Sequence, residues 1–281
     1  MDGPEQHTVR TNTTPDGITT ITIDRMHRRN AVDFATARKL TDAFAAFDSD
    51  PSQKVCIFYG AHGIFCAGYD LQNHSFQDDS SLAAEFGDYV PNAAKHREGH
   101  NSGPMGPSRM QLSKPVISAV SGHAVAGGLE LSLLGDVRIA EEDAVFGVFC
   151  RRFGVPLMDG GTVRLPAVVG LGRALDMVLT GRPVPAAEAL QFGLVNRVVP
   201  RGQALNEAIK MARQLLVFPQ ATMNVDRSSC YYSMFDASSF ENAMQSEWNR
   251  GIKLFGTDAV SGAASFAKGA GRHGSFEPSK M

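Results

Sequence analysis

Over roughly the first 200 residues, short apolar runs alternate with stretches of helical period. Residues 17–24 (GITTITID) are β-branched and partly alternating, which predicts a strand. In the next segment Phe34, Ala37, Leu40, Phe44 and Phe47 fall on one face of a 3.6-residue period, predicting a helix. Residues 55–59, 115–120 and 136–140 are apolar runs between turn residues and read as buried strands. Strands interleaved with helices predict an α/β fold. Between residues 72 and 109 the pattern decays, with one helix expected over 82–89. A long irregular insertion of this kind is a mobile or a substrate-covering segment. Over 203–216 and 240–255 helical periodicity returns without strand signal, predicting a helical appendage, and the chain from Arg272 reads as a loose tail.

Composition narrows the class. At 281 residues the chain suffices for one large domain, or one domain with an appendage. It is 43% hydrophobic and 20% charged with a formal net charge of -2, which gives no electrostatic reason to expect nucleic acid. Cys56, Cys66, Cys150 and Cys230 are widely spread, without a C-x-x-C pair or a histidine at zinc spacing, so we expect no metal and reduced thiols in a cytoplasmic protein. No secretory signal or run of membrane-spanning length is visible, and no membrane association is expected.

Two segments carry candidate chemistry. FCAGYDL (65–71) and SGHAVAGGLE (121–130) each read as an apolar strand entering a small-residue turn and then a helix. That geometry aims unpaired backbone N–H groups outward, and two such turns side by side suit negative charge developing on a carbonyl oxygen. The glycines lack the Lys-Ser/Thr of a P-loop and the G-x-G-x-x-G of a dinucleotide site, and one glycine alone would serve tight helix packing. Glu130 lies three residues after Gly127, so a helix starting at the glycines puts its carboxylate on the same face. Within the apolar run 129–134 it is either a buried general acid or base of raised pKa or a first-turn partner of the helix dipole.

These turns, together with RMHRRNAV (25–32), the KPVISAV that leads into the second turn, GDVRIA (135–140), GGTVRLP (160–166) and AAEALQFGLV (186–195), resemble the crotonase family, the enoyl-CoA hydratase/isomerase superfamily. The resemblance is collinear from about residue 15 to about 276. It implies a spiral of ββα units over 1–200 holding an acyl-CoA site, and a C-terminal helical oligomerisation region over 201–281, assembled as a homotrimer or a dimer of trimers. Trp248 and Phe255, seven residues apart, fit such a face or an intramolecular one. It further implies a thioester carbonyl held by the Ala67 and Gly127 amides, and a carboxylate, Glu130, that moves protons. Arg28, Gly68, Tyr69, Asp70 and Leu71 would border coenzyme A, with Arg28 or Arg29 either pairing its phosphates or forming a solvated basic loop. Coenzyme A is then part of the substrate, and no separate cofactor is implied. The irregular 72–109 segment would cover the acyl group and set chain-length preference.

Family hydratases use a second glutamate in a segment resembling F-G-x-P-E, and here FGVFC places Cys150 at that position. A thiol is a poor acid for adding water, and without a histidine placed to activate it Cys150 reads as lining the pocket. Asp159 is either a second acid or a turn aspartate capping the helix after Gly160 and Gly161. The expected reaction is hydration or dehydration of a 2-enoyl-CoA in fatty acid metabolism. Double-bond isomerisation, which needs one shuttling group, and acyl-CoA binding without turnover are the alternatives.

Overall fold

The structure, a computed structural model, describes residues 7–72, 89–92, 94, 99, 101–269 and 271. The expected helix over 82–89 lies, except for Tyr89, outside the described residues, as does any helix following the 65–71 turn and the tail from Arg272. The chain divides into two compact units, Met1–Ala212 and Arg213–Met281.

The first unit is built on two sheets. β1 (Val9–Thr13), β2 (Ile18–Ile23), β3 (Val55–Gly60), β4 (Val116–Val120), β6 (Val137–Glu141) and β9 (Arg197–Val199) form one sheet in that order. β1 runs antiparallel to β2, and every other neighbouring pair is parallel. β5 (His123–Val125), β7 (Val145–Gly147) and β8 (Val184–Pro185) form the second sheet. Consecutive strands β4 and β5, and then β6 and β7, each contribute one strand to each sheet, which winds the chain as a spiral. Parallel neighbours buried on both faces read as continuous apolar runs, as β3 and β4 do.

Helix α1 (Phe34–Ser49) starts where Asp33 caps the Thr36 N–H at 2.8 Å. It buries Ala37, Leu40, Phe44 and Phe47 as its period predicts. The Phe44 ring meets Phe58 of β3 edge to face at 5.1 Å, and Phe58 meets Phe65 in the same way at 5.2 Å. Phe34 corrects the expected face: it is 36% exposed, with Tyr89 at its edge and Arg38 over its ring. A side chain at the first helical position lies over the turn before its own Cα. After β5 come α2 (Gly127–Ser132), α3 (Gly161–Val169), α4 (Leu171–Thr180), α5 (Ala186–Phe192) and α6 (Ala204–Leu216), whose last turn crosses the unit boundary.

The second unit is helical: α7 (Gln220–Phe235), α8 (Phe240–Leu254), a π-helical turn (Phe255–Ala259) and α9 (Val260–Ala267). Helix α7 has no counterpart among the expected elements. Within the unit, Arg250 donates to Ser228 Oγ at 2.9 Å, and Thr222 Oγ1 to Asp258 Oδ2 at 3.1 Å. Among the described residues Trp248 and Phe255 are exposed.

Candidate active site

The two turns lie against each other. The Phe65 N–H donates to Ser121 O at 2.7 Å, Cys66 N–H to His123 O at 2.9 Å and Val125 N–H to Cys66 O at 3.1 Å. Gly128 makes this approach possible, since a Cβ there would stand 2.1 Å from the Cys66 carbonyl oxygen. Before it, Ala126 takes φ 53° and ψ −127°, strained for an alanine, and its N–H donates to Gly147 O at 2.8 Å. The Gly127 N–H, first in α2, has no acceptor among the described residues, as the orphan donors of a helix start require.

The first turn is held from below by the RMHRRNAV segment. Fully buried Arg25 donates to Asp70 at 2.6 Å and to Ala31 O at 3.0 Å, and pairs with Asp33 at 2.7 Å. Asn30 Nδ2 donates to Ala61 O and Ile64 O, and its Oδ1 accepts from Arg25 N–H. Arg29 and Asn30 both take left-handed backbone (φ 52° and 57°). The Arg29 carbonyl then accepts the Ala67 N–H at 3.2 Å. The Ala67 donor is therefore present at the turn and already bonded to Arg29 O.

A cavity of about 1130 Å³ opens over these turns. Ala67, Tyr69, Leu71, Gly127, Glu130, Cys150 and Asp159 all line it, with Arg29 and Arg152 among its polar members. Arg28, Gly68 and Asp70 do not. Arg28 faces Gln72 and Asp70, the Gly68 carbonyl accepts from Val32 N–H, and Asp70 is buried on Arg25 beneath the turn. Arg25 and Asp70 are 45 positions apart, so their pairing had no local signal.

Glu130 is 3% exposed. Its Oε1 accepts the Asp159 N–H at 2.9 Å and the Gly161 N–H at 2.8 Å at the start of α3. Its Oε2 has no protein partner among the described residues. Burial first, and then the Asp159 carboxylate, push its pKa up to about 8 against these hydrogen bonds. Cys150 sits in the 3₁₀ turn Phe149–Phe153, and burial and then Glu130 push its thiol up, so it stays protonated. Asp159 does not cap α3: Gly160 occupies the cap position, and Asp159 Oδ1 instead accepts the Met105 N–H at 2.9 Å and the Ser108 hydroxyl at 2.5 Å. Burial raises its pKa too.

Met105, Ser108 and Arg164 had no place among the expected site residues. The G-P-M-G spacing of 103–106 marked a turn there, though not where it would land. Among the described residues no group of three or more His, Cys, Asp or Glu side chains is arranged to hold a metal ion, and no helix is long and apolar enough to cross a membrane.

Known proteins agree with this architecture. Enoyl-CoA hydratase EchA19 of Mycobacterium tuberculosis is 34% identical over 257 residues, 88% of this chain and 89% of the relative. Carnitinyl-CoA dehydratase of Salmonella arizonae is 37% identical over 198 residues, 70% of each chain. The crystal structure of an enoyl-CoA hydratase from Mycobacterium tuberculosis H37Rv superposes with a TM-score of 0.79 at 31% identity, covering 93% of this chain and 96% of that one. The enoyl-CoA hydratase/isomerase family model matches residues 13–247, spanning both turns and Glu130. The chain is therefore a member of the enoyl-CoA hydratase/isomerase, or crotonase, family.

Proposed function

We propose that this protein is a lyase that hydrates a 2-enoyl-CoA thioester, or dehydrates the corresponding 3-hydroxyacyl-CoA, by means of a single carboxylate. The observation that carries this reading is Glu130: one oxygen is fixed by two backbone N–H groups, and the other is left for the cavity beside the Gly127 amide. The thioester oxygen accepts from the Gly127 and Ala67 N–H groups, an oxyanion hole for the enolate-like charge of the transition state. In the hydration direction the Glu130 carboxylate takes a proton from water as the water oxygen bonds to Cβ, and the same group delivers that proton to Cα. Dehydration reverses both transfers. Neutral Cys150 leaves no second acid of ordinary strength at its position, and Asp159, the other acid in the lining, is engaged by Met105 and Ser108, so this reading gives both transfers to Glu130. The names of the relatives, an enoyl-CoA hydratase and a carnitinyl-CoA dehydratase, support this chemistry over isomerisation.

Arg29, at the cavity mouth, is the residue we assign to the coenzyme A phosphates. Unpaired thiols at Cys56, Cys66 and Cys150 support a cytoplasmic location. The exposed apolar stripe on α8 supports assembly as a homotrimer or pair of trimers, with the second unit as the assembling part.

Following the conjugated thioester absorbance of crotonyl-CoA tests the reaction. Wild type is expected to consume it with formation of 3-hydroxybutyryl-CoA, and Glu130→Gln to lose about 10²–10⁴-fold in kcat/KM. Conversion of a 3-enoyl-CoA with no hydration would replace this reading with isomerisation.

A further inference from the structure

A tight turn at residues 103–106 reaches into the cavity at the reacting centre. Gly103 and Gly106 exchange both backbone hydrogen bonds at 2.8 Å, which leaves Pro104 and Met105 as a two-residue tip. Met105 is 1% exposed and lines the cavity. Its thioether lies against Gly127, where a Cβ would stand 2.6 Å from Sδ. An acyl oxygen bonded to the Gly127 amide would place the groups next to the thioester in the part of the cavity that Met105 shares with Gly127.

The tip is fastened from the opposite wall. Asp159 Oδ1 receives the Met105 N–H and the hydroxyl of Ser108, a residue that is itself fully buried. Arg164 donates to Ser108 O at 2.6 Å and to Met110 O at 2.9 Å, and Arg109 Nε to Met158 O at 2.8 Å. Gly103 is required next to this clamp, because a Cβ would stand 2.3 Å from Asp159 Oδ1 and 2.7 Å from Ser108 Oγ. The backbone N–H of the same Asp159 holds Glu130. One residue thus fixes the proton carrier with its main chain and the pocket tip with its side chain.

We propose that Met105 is the specificity-determining residue beside the reacting carbon, that it selects acyl groups unbranched at the carbon next to the thioester, and that Asp159 and Ser108 are the positioning residues that hold it there. The proposal rests on the acyl-CoA reading above and adds the substrate class. With the backbone of the tip fastened, only the rotamers of Met105 itself can yield to a methyl branch, and a side chain 1% exposed and packed on Gly127 has few to choose from.

The test compares crotonyl-CoA with 2-methylcrotonyl-CoA by kcat/KM, and butyryl-CoA with 2-methylbutyryl-CoA, which do not react, by equilibrium Kd. Met105→Ala is expected to raise the branched-to-straight ratio by about tenfold or more in both measurements, the discrimination one methyl group supports in an apolar pocket. Met105→Val gives the same direction if alanine does not fold. Ser108→Ala is expected to move the ratio part of the way, and Ser108→Thr, which keeps a hydroxyl for Asp159, to restore it. An unchanged ratio in both Met105 variants, or a Ser108→Ala that weakens straight and branched thioesters equally, overturns the proposal. If wild type turns over neither enoyl-CoA, the lyase reading fails, and the Kd ratios alone decide the role of Met105.

Discussion

A carboxylic acid with a pKa of about 8 binds its proton more tightly folded than unfolded, where the ordinary value is 4.5. The stability Glu130 contributes is therefore fully present below about pH 4.5 and is lost as pH rises through 8, a change on the order of a few kcal/mol. Glu130→Gln keeps an oxygen to accept from Asp159 and Gly161 but has nothing to ionise. We expect the variant to melt higher than wild type at pH 9 and to lose that advantage at pH 5, measured by thermal scans across pH. If Glu130 carries the proton transfers proposed above, the same ionisation governs activity. Both directions of the reaction begin from the carboxylate, so kcat/KM is expected to rise with pH through an apparent pKa near 8. Asp159→Asn removes a neighbouring negative charge and is expected to move that limb to lower pH.

At the level of elements, the spacing of the two turns has no slack. Gly128→Ala forces a methyl group onto the Cys66 carbonyl, and we expect loss of soluble protein or of most activity, read by expression and by crotonyl-CoA turnover. Phe44→Ala empties the contact between α1 and β3 and is expected to cost about 3–5 kcal/mol in urea unfolding. These elements were legible in the sequence because their periods are long and regular: α1 showed its face from Ala37 to Phe47, and β3 and β4 their apolar runs. Strands β5, β8 and β9, of three, two and three residues, are too short to show any period. Helix α7 buries Ser229 alone among its residues and has no apolar stripe to read. At the site, Glu130 was legible because a charge inside an apolar run needs a reason. The place of Asp70 under the turn and the clamp on Met105 were not, since their partners lie 45 and 54 positions away.

On the scale of the whole molecule, the two units make different demands on the sequence. The first encloses its core and its cavity within Met1–Ala212. The second leaves Phe240, Met244, Trp248 and Ile252 exposed at four-residue intervals along α8, a single apolar stripe. If that stripe is covered in the assembly, Met244→Glu combined with Trp248→Glu is expected to convert a trimer or hexamer to monomer in sedimentation. An unchanged oligomer would show that α8 faces water.

The bond from the Ala67 N–H to the Arg29 carbonyl sets terms for any substrate. An incoming thioester oxygen is neutral, as the Arg29 carbonyl is, and so competes for this donor on nearly even terms. Once the oxygen carries enolate charge the competition becomes one-sided, because a hydrogen bond to an ion is roughly twice as strong as one to a neutral acceptor. In the oxyanion hole proposed above, the resting Ala67 donor is kept bonded to Arg29 O, and it would turn to the substrate as charge develops. On that proposal, a rival acceptor at the Ala67 amide would work as a filter, discounting the bound thioester while leaving the transition state its full hold.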